Sequence, residues 1–328
     1  MDIRKWKHWM GISALLFACA GAYAQPQPYP TRSITLVVPF NAGGPTDTLA
    51  RILAQSLGKQ LGQSVVVENI GGAGGTLGAA RVAKANADGY TLLMDHLGLA
   101  TAPTLYKNLP YDTRTAFSAV GLITEAPMAI IVRPALPAHT LKDLATLMKE
   151  RPGDIVFGHS GLGGVDQLCG LLLMTAAHSR FQLIPYRGNA PVMADMLGGR
   201  VDVTCSQLAS AAGYITSGKA RGLAMTAAKR SPVLPDLPTT REAGLPQVDI
   251  TVWNGLFAPH GTPAPVIQRL AQGLQAALKD PELSARFLKL GTEPESAALA
   301  TPAALTQRLN REIDRWAPVI RSAQQYAN

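Results

Sequence analysis

The sequence is poor in aromatic and charged residues. Of its 328 residues, 6% are Phe, Trp or Tyr and 16% are Asp, Glu, Lys or Arg. Soluble proteins carry about 25% charged residues, and disordered chains and coiled coils carry more, so neither class is expected. With 47% hydrophobic residues, a chain of this length can bury a core without disulfide or metal staples. The length predicts about two domains.

Cysteine and histidine are also scarce. The three cysteines and six histidines form no Cys-x-x-Cys or His-Glu-x-x-His motif, so no metal site is predicted. No Gly-Lys-Ser/Thr follows a glycine loop, and the spacing of GGAGGTLG at 71–78 does not fit a dinucleotide site, so we expect no cofactor. Cys169 and Cys205 have apolar neighbours, and we favour buried free thiols over the disulfide that an exported protein could form.

The net charge of +8 could by itself indicate a nucleic acid or an anionic surface as a partner. However, three basic residues precede a short apolar run at 11–22, which ends at a small-x-small site, Ala22-Tyr23-Ala24. This order predicts a secretory signal peptide cleaved after Ala24 and a periplasmic location in a Gram-negative host. Lipidation at Cys19 is the alternative, disfavoured by the bulky Phe17. Cleavage removes the three basic residues and Asp2, so the mature chain keeps 27 basic and 21 acidic residues, a charge of +6, without a basic cluster, and no nucleic-acid partner is expected.

Short apolar runs alternate with helical periodicity along the chain, which predicts βαβ units and a mostly parallel sheet. Strands are expected at 34–38, 65–67 and 90–94, and the alternation resumes from 141 to 226. Between these parts, 119–133 holds two apolar runs without a helix, a pattern that favours a crossover between two lobes. A second apolar run at 248–257 is interpreted as a return crossover.

Glycine-rich loops follow several predicted strands. The loop 40–47 leads into a helix at Pro45, whose N-terminal N–H groups could bind an anion, although an ordinary capped turn has the same pattern. In the loop 158–164, Ser160 and His159 with Asp166 could form an exported hydrolase site. There is no GxSxG elbow, so binding is the preferred interpretation. The segment 38–44 is echoed at 184–190, where an arginine could pair with a carboxylate or be an ordinary loop residue.

Several segments, taken in order, resemble one protein family. They are VVPFNAGGPTDTLAR (37–51), 65–94, LPYD (109–112), FGHSGLGG (157–164), 184–203 and the Leu- and Pro-rich stretch 234–246. In this combination the chain resembles the Bug receptors, the TctC-like substrate-binding proteins of tripartite tricarboxylate transporters. The resemblance implies a two-lobed α/β clamshell of the type II periplasmic binding class, in which each lobe is a mostly parallel sheet flanked by helices. The expected lobes are 25–126 with 252–328, and 127–251.

The resemblance implies a monomeric, non-enzymatic receptor that delivers a small organic carboxylate (a di- or tricarboxylate, an amino acid or an aromatic acid) to a membrane permease. A sensory adaptor that signals to a membrane kinase, and the hydrolase, remain alternatives. Departures from the family pattern at Asp95, His96, Gly164 and Gln167 concern ligand identity rather than fold. From the matching loops, and from the strand end at His96, we predict these ligand-binding residues: Phe40, Gly43, Gly44, Thr46, Asp47, His96, Ser160, Gly163, Gly164, Val165, Arg187, Gly188, Asn189 and Ala190.

Overall fold

A computed structural model describes residues 29–186 and 188–323. The predicted signal peptide, the alternative at Cys19 and the predicted contact of Arg187 lie outside these residues. Within them, no helix combines the length and the apolar character needed to cross a membrane.

The first half of the fold is built on three parallel strands in the order β2-β1-β3. They are the β-branched and leucine-rich segments β1 (Ile34–Val38), β2 (Val65–Asn69) and β3 (Thr91–His96). The intervening helices are α1 (Pro45–Leu61), α2 (Thr76–Ala83) after a 3₁₀ turn, and α3 (Leu97–Leu105). The sequence predicted all of these except α3, because Pro103 interrupts its helical pattern.

A single 16-residue strand, β4 (Phe117–Val132), passes through both halves of the fold. Its first part, to Pro127, pairs antiparallel with β9 (Thr251–Pro259), and β9 in turn pairs antiparallel with β3. Its last five residues pair antiparallel with β7 (Val203–Gln207), and residues in the same part also pair with β8 (Arg221–Met225). The two apolar runs at 119–133 therefore form one continuous strand that joins the two halves.

The second half repeats the βα alternation. Its strands β5 (Val156–His159) and β6 (Gln182–Pro185) are parallel, and β5 lies between β6 and β7. The helices here are α4 (Leu141–Glu150), α5 (Val165–Ala177), α6 (Asn189–Leu197) and α7 (Leu208–Thr216). The chain returns to the first half through β9, α8 (Ala264–Leu278), α9 (Pro281–Lys289), β10 (Glu293–Pro294) and α10 (Pro302–Ser322).

The topology gives each strand of the first half a counterpart in the second. The order β2-β1-β3 is matched by β6-β5-β7, and both β3 and β7 lie beside an antiparallel strand. The central β1 therefore corresponds to β5, and β3 corresponds to β7. The echo of 38–44 at 184–190, which follows β6, does not mark this equivalence.

The predicted two-lobed α/β fold is confirmed, whereas the free thiols are wrong. Cys169 on α5 and Cys205 on β7 form a disulfide with a Cα–Cα distance of 6.3 Å. The prediction of free thiols rested on the apolar neighbours of the two cysteines. These neighbours instead bury the disulfide, since Cys169 and Cys205 are both fully buried. The bridge ties α5 to the strand beneath it. The lobe boundaries remain predictions.

Candidate ligand-binding site

A cavity of about 820 Å³ opens where the carboxyl ends of β1, β3, β5 and β7 lead into their helices. This is the edge of an open α/β sheet at which ligands bind. Both halves of the fold line the cavity. Eleven of the fourteen predicted site residues lie on its wall: Phe40, Gly43, Gly44, Thr46, His96, Ser160, Gly163, Gly164, Val165, Gly188 and Asn189.

Two predicted residues, Asp47 and Ala190, do not line the cavity. The carboxylate of Asp47 is buried beneath the loop 40–47, where it accepts hydrogen bonds from the Gly43 N–H at 2.8 Å and from Asn69 at 3.0 Å. Arg51 lies 3.0 Å away. Burial raises the pKa of Asp47, but the hydrogen bonds from Arg51, Gly43 and Asn69 outweigh burial and lower it. Asp47 therefore stays charged and holds the loop in shape.

Four helices begin at the wall of the cavity without a side-chain cap. Their N-cap residues, which all line the cavity, are Gly44 of α1, Gly164 of α5, Gly188 of α6 and Gln207 of α7. The first-turn N–H groups of a helix have no backbone partner within the helix. In α5, however, the Gln167 N–H donates to Asp166 Oδ1 at 2.9 Å, so this N–H is already satisfied. The helix dipole adds partial positive charge at the same place. The cavity therefore collects N–H donors that favour an anion.

Several helices that begin away from the cavity do have a side-chain cap on their first-turn N–H groups. Thr140 caps α4, Asp280 caps α9 and Thr301 caps α10, each accepting a hydrogen bond from a first-turn N–H group. The helices α2 and α8 lack such a cap, but their N-cap residues do not line the cavity. Of the five N-cap residues in the described part of the wall, only His96 caps its own helix with its side chain.

The described part of the wall carries no permanently charged basic side chain. Among the described residues that line the cavity there is no lysine and no arginine. Within the described part of the wall, the donors that face an anion are therefore backbone N–H groups and neutral side chains.

The residues of the hydrolase alternative are not arranged as a nucleophile and its base. The Ser160 hydroxyl donates to Asp166 Oδ1 at 2.8 Å, and the Ser160 N–H donates to Asp166 Oδ2 at 2.5 Å. His159 Nδ1 lies 3.0 Å from the carbonyl oxygen of Gly161. Burial raises the pKa of Asp166 and lowers that of His159. Ser160 and Asp166 thus fix the loop 158–164, and the serine proton is directed to a carboxylate rather than to an imidazole.

His96 occupies the wall at the end of β3. Its Nδ1 accepts a hydrogen bond from the Gly98 N–H at 2.9 Å. The ring stacks on Phe40 with centroids 4.4 Å apart and planes 13° from parallel. A Cβ atom at position 98 would lie 3.1 Å from His96 Cε1, so Gly98 leaves room for the ring. Burial lowers the pKa of His96 to about 4, and the ring is neutral at physiological pH.

The sequence reasoning missed a group of wall residues that lie mainly at two strand ends. After β3, Thr101 lies on α3, the helix that was not predicted, and Tyr106 directly follows that helix. At the end of β7, Ser206 and Gln207 lead into α7, which carries Ser210. A detectable signal was present, because parallel strands that share a sheet edge place the residues after them together. The missed polar and aromatic residues are Asn41, Thr101, Tyr106, Ser206, Gln207 and Ser210.

Comparisons with known proteins find receptors and binding proteins of the same kind. The family described as "Tripartite tricarboxylate transporter family receptor" matches residues 49–324. The structure of the periplasmic binding protein BugD is 43% identical, with a TM-score of 0.78 over 92% of this chain and 100% of that one. MatC from Rhodopseudomonas palustris with bound malate is 37% identical, with a TM-score of 0.77 over 89% and 100%. Rpa4515 of R. palustris with adipate is 35% identical, with a TM-score of 0.78 over 90% and 98%.

Proposed function

Since the chain belongs to the tripartite tricarboxylate transporter receptors, a family of periplasmic solute-binding proteins rather than enzymes, we propose that it binds a small organic carboxylate in the cavity between its two halves. It then delivers this carboxylate to a membrane transporter of the tripartite tricarboxylate type. The signal peptide would be removed after Ala24, and the receptor would act as a monomer.

The observation that carries this proposal is the meeting of four uncapped helix N-termini at one cavity. Glycine at three of these N-caps leaves the N–H groups without a side-chain acceptor at a cost of only a few tenths of a kcal/mol relative to a capping side chain. A bound carboxylate would supply the missing acceptors, and hydrogen bonds to a charged acceptor are stronger than those to a neutral one. Malate and adipate, which MatC and Rpa4515 hold, are both carboxylates.

The proposed site comprises the eleven predicted wall residues together with the backbone N–H groups of α1, α5, α6 and α7. Glycine at the N-cap positions of α1, α5 and α6 keeps side chains out of the space in front of those N–H groups. At Gly164 a Cβ atom would also disturb the loop 158–164, because it would lie 2.5 Å from Asp166 Oδ1 and 2.8 Å from Ser160 Oγ. Closure of the two halves about β4 and β9 would then enclose the bound acid, which stabilises the closed state.

A thermal-shift panel tests the proposal. The probes are malate, citrate, adipate, aspartate and benzoate, each compared with the amide in which every carboxylate is replaced. At 100 times its Kd, a carboxylate that binds only the folded protein adds about 2.7 kcal/mol to the free energy of unfolding. We expect at least one acid, and none of the amides, to raise Tm. A panel in which no acid raises Tm would contradict the proposal.

A further inference from the structure

The topology places two side chains at equivalent positions on the two walls of the cavity. His96 is the last residue of β3 and the N-cap of α3, and Gln207 is the last residue of β7 and the N-cap of α7. Because β3 and β7 are counterparts in the two halves of the fold, these residues approach the cavity from opposite halves. Both are half-buried residues of the wall.

His96 presents an N–H donor to the cavity. A neutral imidazole that accepts a hydrogen bond at Nδ1 carries its hydrogen on Nε2. Nδ1 accepts from the Gly98 N–H, whereas no described residue forms a hydrogen bond with Nε2. The stacked Phe40 ring fixes the plane of the imidazole and so the direction of the Nε2–H bond.

Three titratable groups near His96 are kept in their neutral forms. Asp95, its neighbour, is buried, and burial raises the pKa of Asp95 to about 8. Burial also raises the pKa values of the nearby phenols of Tyr106 and Tyr111. At neutral pH these three groups are predominantly uncharged, and none repels a carboxylate beside the imidazole.

Gln207 presents an amide in the same way. Its side chain does not cap α7, and no described residue forms a hydrogen bond with the amide. A glutamine amide carries two N–H donors and one carbonyl acceptor. Neither amide orientation is fixed by a neighbour, so the group can turn a donor towards a bound acid.

Building on the proposed function, we propose that His96 Nε2–H and the Gln207 amide donate hydrogen bonds to the bound carboxylate from opposite halves of the fold and determine which acids are retained. Helix N-termini accept any carboxylate of suitable size. Two donors on different walls add a requirement for acceptor atoms at a defined spacing. A ligand that meets this requirement bridges the two halves, so selection and closure depend on the same contacts.

Two variants test the proposal with each of the five acids of the panel as probe. His96→Asn keeps a cap acceptor for α3 but removes the ring donor, and Gln207→Met keeps the length of the side chain but removes the amide. We expect each variant to bind the retained acid about 10- to 100-fold more weakly by titration calorimetry. Thr140→Ala, which removes the cap of the remote helix α4, is the control and should leave the affinity unchanged.

A spectroscopic measurement on the unaltered protein covers the case in which a variant does not fold. In ¹⁵N-histidine-labelled protein, the acid should shift the Nε2–H resonance of His96 and slow its exchange with water. If an acid raises Tm but the His96 resonance is unchanged, or if either folded variant binds it as tightly as wild type, the inference is wrong and the proposed function stands. If no acid raises Tm, the proposed function fails and the inference fails with it.

Discussion

At the scale of single residues, the site separates groups that shape it from groups that face it. Asp47, behind the wall, and Asp166, on the wall, are buried carboxylates that hold the two glycine loops through hydrogen bonds. His96 and Gln207 leave donors open to the cavity. Sequence position alone did not make this distinction, because Asp47, Ser160 and His96 all follow strands and all looked equally suited to contact a ligand.

The buried Asp95 gives a pH-dependent prediction. Its pKa is raised from 3.8 to about 8 by burial, so the folded protein keeps a proton that the unfolded chain loses above about pH 4. The free energy of unfolding therefore falls through this group as pH rises from about 4 to 8. Asp95→Asn replaces the titrating carboxyl group with an amide, which neither binds nor releases a proton in this pH range. We expect the variant to gain stability relative to wild type by more than about 1 kcal/mol between pH 5 and 8.

Urea denaturation of both proteins at several pH values measures this difference. A stability difference that does not change with pH would mean that Asp95 is already ionised in the folded protein. The same variant should bind carboxylates with less pH dependence near pH 8, where ionisation of Asp95 in wild type places a negative charge next to His96.

At the scale of helices and strands, the central feature is the absence of caps at the cavity. Gly44 offers a direct way to alter it, because its backbone (φ −75°, ψ 169°) suits any residue and its Cβ atom would meet only the Asn41 carbonyl oxygen, at 3.3 Å. An aspartate there would cap α1 with its own carboxylate and occupy the donors that we assign to the ligand.

We expect Gly44→Asp to bind the carboxylate at least about 10-fold more weakly than Gly44→Ala, which introduces the same Cβ atom without a capping group. The stabilities of the two variants should differ by about 1 kcal/mol in favour of aspartate. Titration calorimetry and urea denaturation give both quantities. Equal affinities for the two variants would remove the α1 N-terminus from the site.

Most elements could be predicted from sequence because their patterns are local. The β-branched runs of β1 and β2 and the periodicity of α1 specify strand and helix by themselves. Two features needed the tertiary structure. Helix α3 contains Pro103 and a nearly uniform apolar sequence, so no periodicity marks it. The disulfide joins residues 36 positions apart, and only the packing of α5 on β7 brings them together.

The site, too, was predictable only where local sequence patterns mark it. Glycine loops after strands, such as 40–47 and 158–164, mark helix N-termini in the sequence itself. Gln207 and Ser206 have no such signal, since VTCSQ is an ordinary strand sequence. The end of this strand lines the cavity only because β7 lies between β5 and β4. Which side chain faces the cavity depends on that arrangement.

At the scale of the whole molecule, the two halves are joined by β4 and β9, and the C-terminal helix α10 holds the junction. Arg308 on α10 lies 2.7 Å from Glu125 on β4 and donates to Thr251 on β9 at 3.0 Å. It also pairs with the buried Glu312 at 3.1 Å. One guanidinium thus contacts both connecting strands where they leave the first half.

Arg308→Ala should lower the free energy of unfolding by about 1–3 kcal/mol, because Glu312 would stay buried without its cation. Arg114→Ala is the matched control. It breaks an ion pair with Asp314 on the same helix, but that pair is exposed, with side-chain exposures of 40% and 72%. Exposed pairs contribute about 0–1 kcal/mol. Chemical denaturation of both variants makes the comparison, and equal losses would contradict the role assigned to Arg308.

The central claim is that the cavity holds a carboxylate through the N–H groups of uncapped helices. A crystal structure of the protein with the panel acid that raises Tm most tests it directly. The account predicts carboxylate oxygens within about 2.7–3.2 Å of backbone nitrogens in the first turns of these helices, with contributions from both halves of the fold. An acid bound outside the cavity, or held in it by lysine or arginine side chains alone, would contradict the claim.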